Sequence, residues 1–163
     1  MASQLHNLSS YDAGTVPSSK GMRFGIVVSE YYPEITFALL KGCMDTLQQH
    51  GAQQSDLEVA YVPGTFELPT GALLLDEAYD PDAIICIGCV IKGETDHDIY
   101  INTAVANSIA ELCIHLEKPV IFGVLTPNTM QQAQDRAGGQ HGNKGVEAAV
   151  AAIKMVALRN QLI

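Results

Sequence analysis

The segment Lys92-Gly-Glu-Thr-Asp-His97 places a titratable side chain shortly after a glycine, between an apolar run and a predicted helix. A glycine lets a ligand approach the backbone, and the first turn of a helix offers unpaired N–H groups and a positive dipole end to an anion. The His97 imidazole can exchange a proton near neutral pH. We interpret this loop as a candidate site for anion binding and proton transfer; an ordinary polar loop with a solvated histidine is the alternative.

A second candidate segment, Arg136-Ala-Gly-Gly-Gln-His-Gly-Asn-Lys-Gly145, combines four glycines with three potential cations, Arg136, His141 and Lys144. The chain has only nine Lys and Arg residues against eighteen Asp and Glu, so two cations in one loop are notable. The segment is not a Walker A loop, because Gly145 follows the lysine where Ser or Thr is required and because a helix precedes it. It indicates an anion site of another kind or, alternatively, a flexible turn with solvated charges.

The third candidate is the turn Val62-Pro-Gly-Thr-Phe-Glu-Leu-Pro69. Its backbone at Thr65 and Phe66 could donate hydrogen bonds to a ligand, and the Glu67 carboxylate could accept them. The alternative is a plain helix start in which Thr65 is the cap and Glu67 favours the helix dipole. Two further side chains, Tyr31 and Tyr32, could stack on a flat heterocycle or could simply cover the sheet edge.

The cysteines predict packing, not metal or redox chemistry. Cys86-Ile-Gly-Cys89 has the spacing of a redox pair, but it lies inside an apolar run, and residues three apart on a strand point to opposite faces. The five histidines contain no pair at i, i+4, so the sequence gives no support for a metal site.

The elements that must position these residues alternate along the chain. Apolar runs of four to eight residues predict strands, and apolar residues at spacings of three and four predict helices. The predicted strands are 24–28, 57–62, 84–91 and 120–125, and the predicted helices are 33–50, 66–78, 98–117, 129–137 and 143–159. This order predicts a three-layer α/β/α sandwich with a four-stranded parallel sheet and flavodoxin-like winding. In such a sheet the loops after the strands converge on one rim, where ligands bind.

Composition limits the class of protein further. The 163 residues suffice for one domain, which we place at 22–163; the Ser-rich residues 1–21 have no apolar periodicity and predict a flexible tail. A net charge of −9 disfavours nucleic-acid and anionic-membrane surfaces. Neither a membrane span nor a secretory leader is recognised, so we expect a cytoplasmic protein. The charged fraction of 17% is low for a lone small domain and suggests surface hidden in an oligomer.

Four motifs together resemble the lumazine synthase family over about residues 22–159. They are Val62-Pro-Gly-Thr-Phe-Glu67, Gly88-Cys-Val-Ile-Lys-Gly-Glu-Thr-Asp-His97, Phe122-Gly-Val-Leu-Thr126 and the long segment from Gln132 to Ala149. The resemblance implies an enzyme that joins 5-amino-6-ribitylaminouracil to 3,4-dihydroxy-2-butanone 4-phosphate in riboflavin synthesis. The products would be 6,7-dimethyl-8-ribityllumazine, phosphate and water, with no cofactor.

The resemblance also implies roles for individual residues. His97 would move protons, and Arg136 would bind the substrate phosphate, helped by the backbone of Gly93, Glu94 and Thr95. The pyrimidine and its ribityl chain would be bound by the remaining site residues: Tyr31, Thr65, Phe66, Glu67, the backbone of Val90 and Ile91, Phe122 and Lys144. In the family Phe122 and Arg136 would come from the neighbouring subunit of a pentamer, and shells of twelve pentamers occur.

Two positions depart from the family pattern. Tyr32 stands where the family often has Asn, so an amide contact to the ligand is missing. Asp98 stands where Phe is common, and with Asp96 it would favour a protonated His97 if both carboxylates face the ring. The alternatives to an enzyme are a domain that binds a flavin or lumazine without turnover and a subunit that mainly builds a shell; His97, Arg136 and Lys144 together favour the enzyme.

Overall fold

The computed structural model of the protein describes residues 7–163. The main sheet contains β1 (Phe24–Ser29), β2 (Leu57–Val62), β3 (Ala83–Cys89) and β4 (Val120–Leu125). The helices are α1 (Pro33–Gln49), α2 (Leu68–Tyr79), α3 (His97–His115), α4 (Met130–Asp135) and α5 (Lys144–Leu162). Short 3-10 turns lie at Ala13–Thr15, Gln54–Asp56 and Thr65–Glu67, and a small hairpin joins β5 (Ala137–Gly139) to β6 (Gly142–Asn143).

The main sheet is parallel throughout, with strand order β2-β1-β3-β4. The two interior strands are buried at every residue, as continuous apolar runs require when helices cover both faces of a sheet. The prediction of a central third strand is confirmed, and β1 shares the interior with it. The three-layer α/β/α architecture with flavodoxin-like winding is confirmed as well.

Two hydrophobic clusters lie on opposite faces of the sheet. One includes Ile85, Cys89 and the buried residues of α1 and α5; the other includes Cys86 and the buried residues of α2 and α3. The two cysteines therefore point to opposite faces, as their spacing predicts, and all four cysteines are free thiols. Burial raises the pKa of the Cys86 thiol to about 12. The core-packing interpretation of this pair is confirmed.

Helices α1 and α5 pack closely against each other on one face of the sheet. A Cβ at Gly145 would collide with the Leu39 carbonyl oxygen, so α5 begins directly against α1. Ala148, Ala149 and Ala152 continue the buried face of α5. The small residues that the sequence places along this helix thus allow the tight packing expected of them.

The N-terminal segment differs from the predicted flexible tail. Residues 1–6 lie outside the described part of the chain, but residues 7–21 pack on the domain. Leu8 and Val16 are buried, and Ser19 Oγ donates to the Leu47 carbonyl and accepts from the Ala52 N–H, both over 2.9 Å. Two isolated apolar residues and one buried hydroxyl bind the segment to the domain although the sequence shows no periodicity there.

Large apolar side chains remain exposed on the outer helices. They include Ile99, Tyr100 and Ile114 on α3 and Leu158 and Leu162 on α5. No helix in the described part of the chain is both long enough and apolar enough to cross a membrane. Exposed apolar surface of this kind is typical of subunits that associate.

Candidate active site

Two cavities open at the carboxyl ends of the main strands, as the parallel topology predicts. The larger, which we call the His97 cavity, has a volume of about 470 Å³ and is bordered by the loops after β1, β2 and β3. The smaller, which we call the cationic cavity, has a volume of about 250 Å³ and is bordered by the loop after β4, Arg136 and Lys144. Among residues 7–163, none lines both cavities.

The loop after β2 forms one wall of the His97 cavity. The Thr65–Glu67 segment is a 3-10 turn, and α2 begins only at Leu68, two residues later than predicted. Buried Thr65 donates through Oγ1 to the Cys89 carbonyl over 3.4 Å, which ties the turn to the end of β3. The alternative of Thr65 as a helix cap is not observed, because the N-cap of α2 is Glu67.

Glycine at position 88 allows this close approach. A Cβ there would lie 2.8 Å from Thr65 Oγ1 and 2.9 Å from Leu68 Cδ1, well inside contact distance. With Thr65 facing the sheet, Phe66 and Glu67 remain exposed and line the cavity. The turn therefore presents an aromatic ring and a carboxylate on a rigid support.

His97 is the first residue of α3 and its exposed side chain lines the cavity. The N-cap residue, Asp96, makes no capping hydrogen bond with its side chain, so the first N–H groups of the helix are left for solvent or a ligand. At Gly93 a Cβ would meet nothing within 4 Å. The loop thus leaves open space next to the positive end of the α3 dipole.

The backbone after β3 is partly engaged by the neighbouring strand. The Val90 N–H donates to the Leu125 carbonyl over 2.9 Å, and the Lys92 N–H donates to the Pro127 carbonyl over 3.0 Å. Val90 and Ile91 both line the His97 cavity. A ligand could therefore use the carbonyl of Val90 but not its N–H.

Tyr31 and Tyr32 form the aromatic side of the cavity. Their rings meet edge to face, with centroids 4.8 Å apart and an interplanar angle of 84°. Tyr32 occupies the left-handed region at φ 58°, a conformation that Asn adopts more readily than an aromatic residue. Burial, aided by the neighbouring Tyr31, raises the pKa of the Tyr32 phenol, so this hydroxyl stays protonated and able to donate.

Arg136 lies at the end of α4, on the wall of the cationic cavity. Thr129 caps α4 by accepting from the Gln132 N–H, and Arg136 follows the last helical residue. Its Nη1 donates to the Gln132 carbonyl over 3.2 Å, which orients the guanidinium. The glycine-rich turn predicted beyond it contains the β5–β6 hairpin.

Lys144 begins α5 and shares the cationic cavity with Arg136. The Asn143 side chain caps this helix by accepting from the Gly145 N–H over 2.8 Å. Lys144 forms an ion pair with Glu147, which also lines the cavity. One cation of the cavity is thus paired within the chain, whereas the Arg136 guanidinium bonds only a neutral carbonyl among the contacts described.

Two predicted site residues line neither cavity. Glu94 is exposed in the loop after β3, and Phe122 lies half-buried on β4, packed against the cluster under α2 and α3. Phe122 lies on the face of the sheet that α2 and α3 cover, because alternate residues of a strand point to opposite faces.

Several residues that line the cavities were not predicted as site residues. Ile101 and Asp98, the latter considered only as a departure from the family, line the His97 cavity, and Leu8 and Glu147 line the cationic cavity. Tyr32, considered for stacking on a heterocycle, lines the His97 cavity as well. Asp98 Oδ1 is buried and has no hydrogen-bond partner among the described residues. Neither Asp96 nor Asp98 forms an ion pair with His97 in residues 7–163, so their effect on His97 stays a prediction. No cluster of metal-ligating side chains occurs in that range.

The fold and the site together define an α/β protein whose strand-end loops form an aromatic, histidine-containing cavity and a separate cationic one. Comparison with known sequences narrows this class. The 6,7-dimethyl-8-ribityllumazine synthase family profile matches residues 21–160. The chain belongs to this family.

Curated relatives match over nearly the whole chain. The 6,7-dimethyl-8-ribityllumazine synthase of Porphyromonas gingivalis is 51% identical over 158 residues, covering 97% of this chain and 98% of the relative. The protein of the same name from Phocaeicola vulgatus is 48% identical over 162 residues, covering 99% and 96%. That from Cytophaga hutchinsonii is 50% identical over 157 residues, covering 96% and 98%.

Proposed function

We propose that the protein is a transferase that makes 6,7-dimethyl-8-ribityllumazine in riboflavin biosynthesis. The substrates are 5-amino-6-ribitylaminouracil and 3,4-dihydroxy-2-butanone 4-phosphate, and phosphate and water leave. The observation that carries this proposal is the full-length similarity to proteins that bear this name. The presence of His97, Arg136 and Lys144 at the strand-end rim supports catalysis rather than binding or scaffolding alone.

The His97 cavity suits the pyrimidine and its ribityl chain. Phe66 and Tyr31 offer aromatic surface to a flat heterocycle, and Glu67 offers acceptors to hydroxyl groups. The Val90 carbonyl and the Ile91 backbone are the groups available to the pyrimidine edge. His97 exchanges protons during imine formation, phosphate elimination and ring closure, which are the steps that move protons.

The cationic cavity suits the phosphate of the second substrate. The Arg136 guanidinium can bind phosphate through paired N–H groups. The resemblance assigns Lys144 to the pyrimidine, but Lys144 lines the same cavity as Arg136 and can add its charge to the phosphate site when the ligand competes with Glu147. The backbone of Gly93, Glu94 and Thr95 and the start of α3 complete the anion site from the other side. An amine and a ketone held in contact gain most of their acceleration from positioning.

We infer that one complete site combines the His97 cavity of one subunit with the cationic cavity of a neighbour. In the part of the chain that the structure describes, the two cavities share no lining residue, and Phe122 lines neither. A pentamer in which Phe122, Arg136 and Lys144 face the neighbour's His97 cavity satisfies both facts. The exposed apolar residues of α3 and α5 would be covered in such an assembly.

Mixing purified protein with both substrates tests the activity directly: lumazine absorbance and released phosphate should rise together, and light scattering should give the mass of an oligomer.

Co-assembled His97→Ala and Arg136→Ala chains test the shared site. In a random one-to-one mixture about one quarter of the interfaces pair an intact His97 with an intact Arg136, and activity should return in that proportion at ketone concentrations too low for the Arg136→Ala variant to turn over by itself. Activity no greater than the sum of the separate variants would refute a site shared between subunits.

A further inference from the structure

The segment of residues 7–11, which we call the N-terminal strap, lies on the hairpin that carries the cationic residues. The Leu8 N–H donates to the His141 carbonyl over 2.8 Å. The Asn143 N–H donates to Ser9 Oγ over 2.9 Å, joining residues 134 positions apart. The Ser9 N–H in turn donates to Asn7 Oδ1, which folds the strap into a tight turn. The strap therefore contacts the hairpin at two points.

Gly142 makes the contact between strap and hairpin close. Its φ of +78° is one that residues other than glycine rarely adopt. A Cβ at this position would also lie 2.6 Å from the Ser9 nitrogen and 2.9 Å from the Leu8 nitrogen. The hairpin surface is thus shaped to receive the strap backbone.

Both hairpin residues that contact the strap are connected to the backbone around Arg136 by further hydrogen bonds. The His141 N–H donates to the Asp135 carbonyl over 2.8 Å, and the Lys144 N–H, next to Asn143, donates to the Arg136 carbonyl over 2.9 Å. Leu8 is 6% exposed and its side chain forms part of the cationic cavity wall. If the strap moved, the hairpin would lose contacts near both Arg136 and Lys144, and the two cations would be held less firmly.

We propose that Leu8 and Ser9 are positioning residues for phosphate binding, holding Arg136 and Lys144 in place through the hairpin. The inference rests on the proposed function, in which the cationic cavity binds the substrate phosphate. It assigns a role in the site to a segment whose composition resembles a loose tail. A strap that holds only the fold together would affect both substrates alike; a positioning strap affects the phosphorylated substrate selectively.

Ser9→Ala tests the proposal in the full-length oligomer, with Ser9→Thr as the rescue variant and Ser10→Ala as the control that removes a neighbouring exposed hydroxyl. Calorimetry gives the affinity for inorganic phosphate, and steady-state kinetics give KM for each substrate. Loss of one hydrogen bond should weaken phosphate binding and raise KM for the phosphorylated ketone by about 2- to 10-fold. KM for the pyrimidine should not change, Ser9→Thr should restore binding, and Ser10→Ala should behave as wild type.

Leu8→Ala should weaken phosphate more than Ser9→Ala, because it also removes part of the cavity wall. Unchanged phosphate affinity in Ser9→Ala would overturn the proposal, and so would an equal rise of both KM values with a lower Tm. Wild-type protein that binds no phosphate would overturn it too. Wild-type protein that binds phosphate but makes no lumazine would refute the proposed function alone. The role of the strap would then be tested by comparing the phosphate affinity of Ser9→Ala with that of wild type.

Discussion

The His97 cavity and the cationic cavity are held by different kinds of contact. The first lies between the ends of adjacent strands, and its walls are tied together by the sheet and by the Thr65–Cys89 hydrogen bond. The second depends on a two-stranded hairpin, the start of α5 and an N-terminal strap 134 residues away in sequence. The paired strands and the loops that directly follow them form the first cavity, whereas the second also needs a contact between the N-terminal strap and the hairpin.

The chemistry of the two cavities differs in the same way. Aromatic surface and one histidine suit positioning of a heterocycle and proton transfer, while Arg136 and Lys144 suit binding of an anion. If the division is real, damage to the first cavity should appear mainly in kcat and damage to the second mainly in KM for the phosphorylated ketone. The predictions below test this division, beginning with the largest effect.

His97→Ala should lower kcat by about 10²- to 10⁴-fold, the usual contribution of one acid–base group. Turnover should remain measurable, because positioning of the two substrates is left intact. KM for the phosphorylated ketone should stay near the wild-type value in steady-state assays. His115→Ala, at the exposed far end of the same helix, is the matched control and should have no effect. A raised KM with normal kcat in His97→Ala would contradict the division.

Arg136→Ala should raise KM for the phosphorylated ketone by about 10- to 100-fold, the loss expected when charge-assisted hydrogen bonds to phosphate are removed. Saturating ketone should recover most of kcat, and KM for the pyrimidine should stay unchanged. Arg23→Ala removes the same charge at the amino end of β1 and serves as the control. Equal losses of kcat in Arg136→Ala and His97→Ala, with unchanged affinity for the ketone, would show that the cavities do not divide the work.

Lys118→Met should affect neither cavity but should lower stability. Lys118 Nζ lies 2.7 Å from Asp76 Oδ1 and 2.8 Å from Asp80 Oδ1. Lys118 precedes β4, so this ion pair lies at the amino ends of the strands, opposite the cavities. Because the Lys118 and Asp76 side chains are only 9% and 17% exposed, we expect a loss of about 1 to 3 kcal/mol in the free energy of unfolding. Urea unfolding measures this loss, and Lys154→Met, on the exposed face of α5, is the control.

This loss should depend on pH. Burial pushes the pKa of Lys118 down, but its ion pairs with Asp76 and Asp80 push it up further, above the ordinary 10.5. The bond to Lys118 in turn lowers the pKa of Asp80 below its ordinary 3.8. The share of the stabilisation that comes from Asp80 is therefore present above about pH 4 and lost at lower pH as Asp80 protonates, and the share that depends on the Lys118 charge is present below about pH 10 and lost at higher pH as Lys118 deprotonates. A difference between wild type and Lys118→Met that persists unchanged at pH 2 would contradict this origin.

The sequence predicted the strands more accurately than the loops. The strand predicted at 57–62 has those limits in the structure, and the one predicted at 24–28 extends by a single residue. The helix predicted from Phe66 begins instead at Leu68, because Gly88 leaves room for Thr65 to turn onto β3. That contact joins residues 24 positions apart, and no local pattern encodes it.

The N-terminal segment illustrates the same limit. Its serines and the absence of periodicity predicted a flexible tail, yet Leu8 and Val16 are buried. Isolated apolar residues give no periodic signal, and only the contact of Leu8 with the hairpin and the cationic cavity explains its burial. Asp98, by contrast, was already recognised in the sequence as a departure from the family pattern, and it lines the His97 cavity.

The sequence by itself determined the alternation of strands and helices, the parallel sheet and the chemical character of the rim, because those follow from local periodicity and residue type. Only the tertiary structure decided that the rim divides into two cavities, that Phe122 belongs to neither, and that the strap completes the cationic one. These features depend on contacts between residues far apart in the chain. Bringing such residues together costs chain entropy, which is offset by the packing of the whole domain and not by any local pattern.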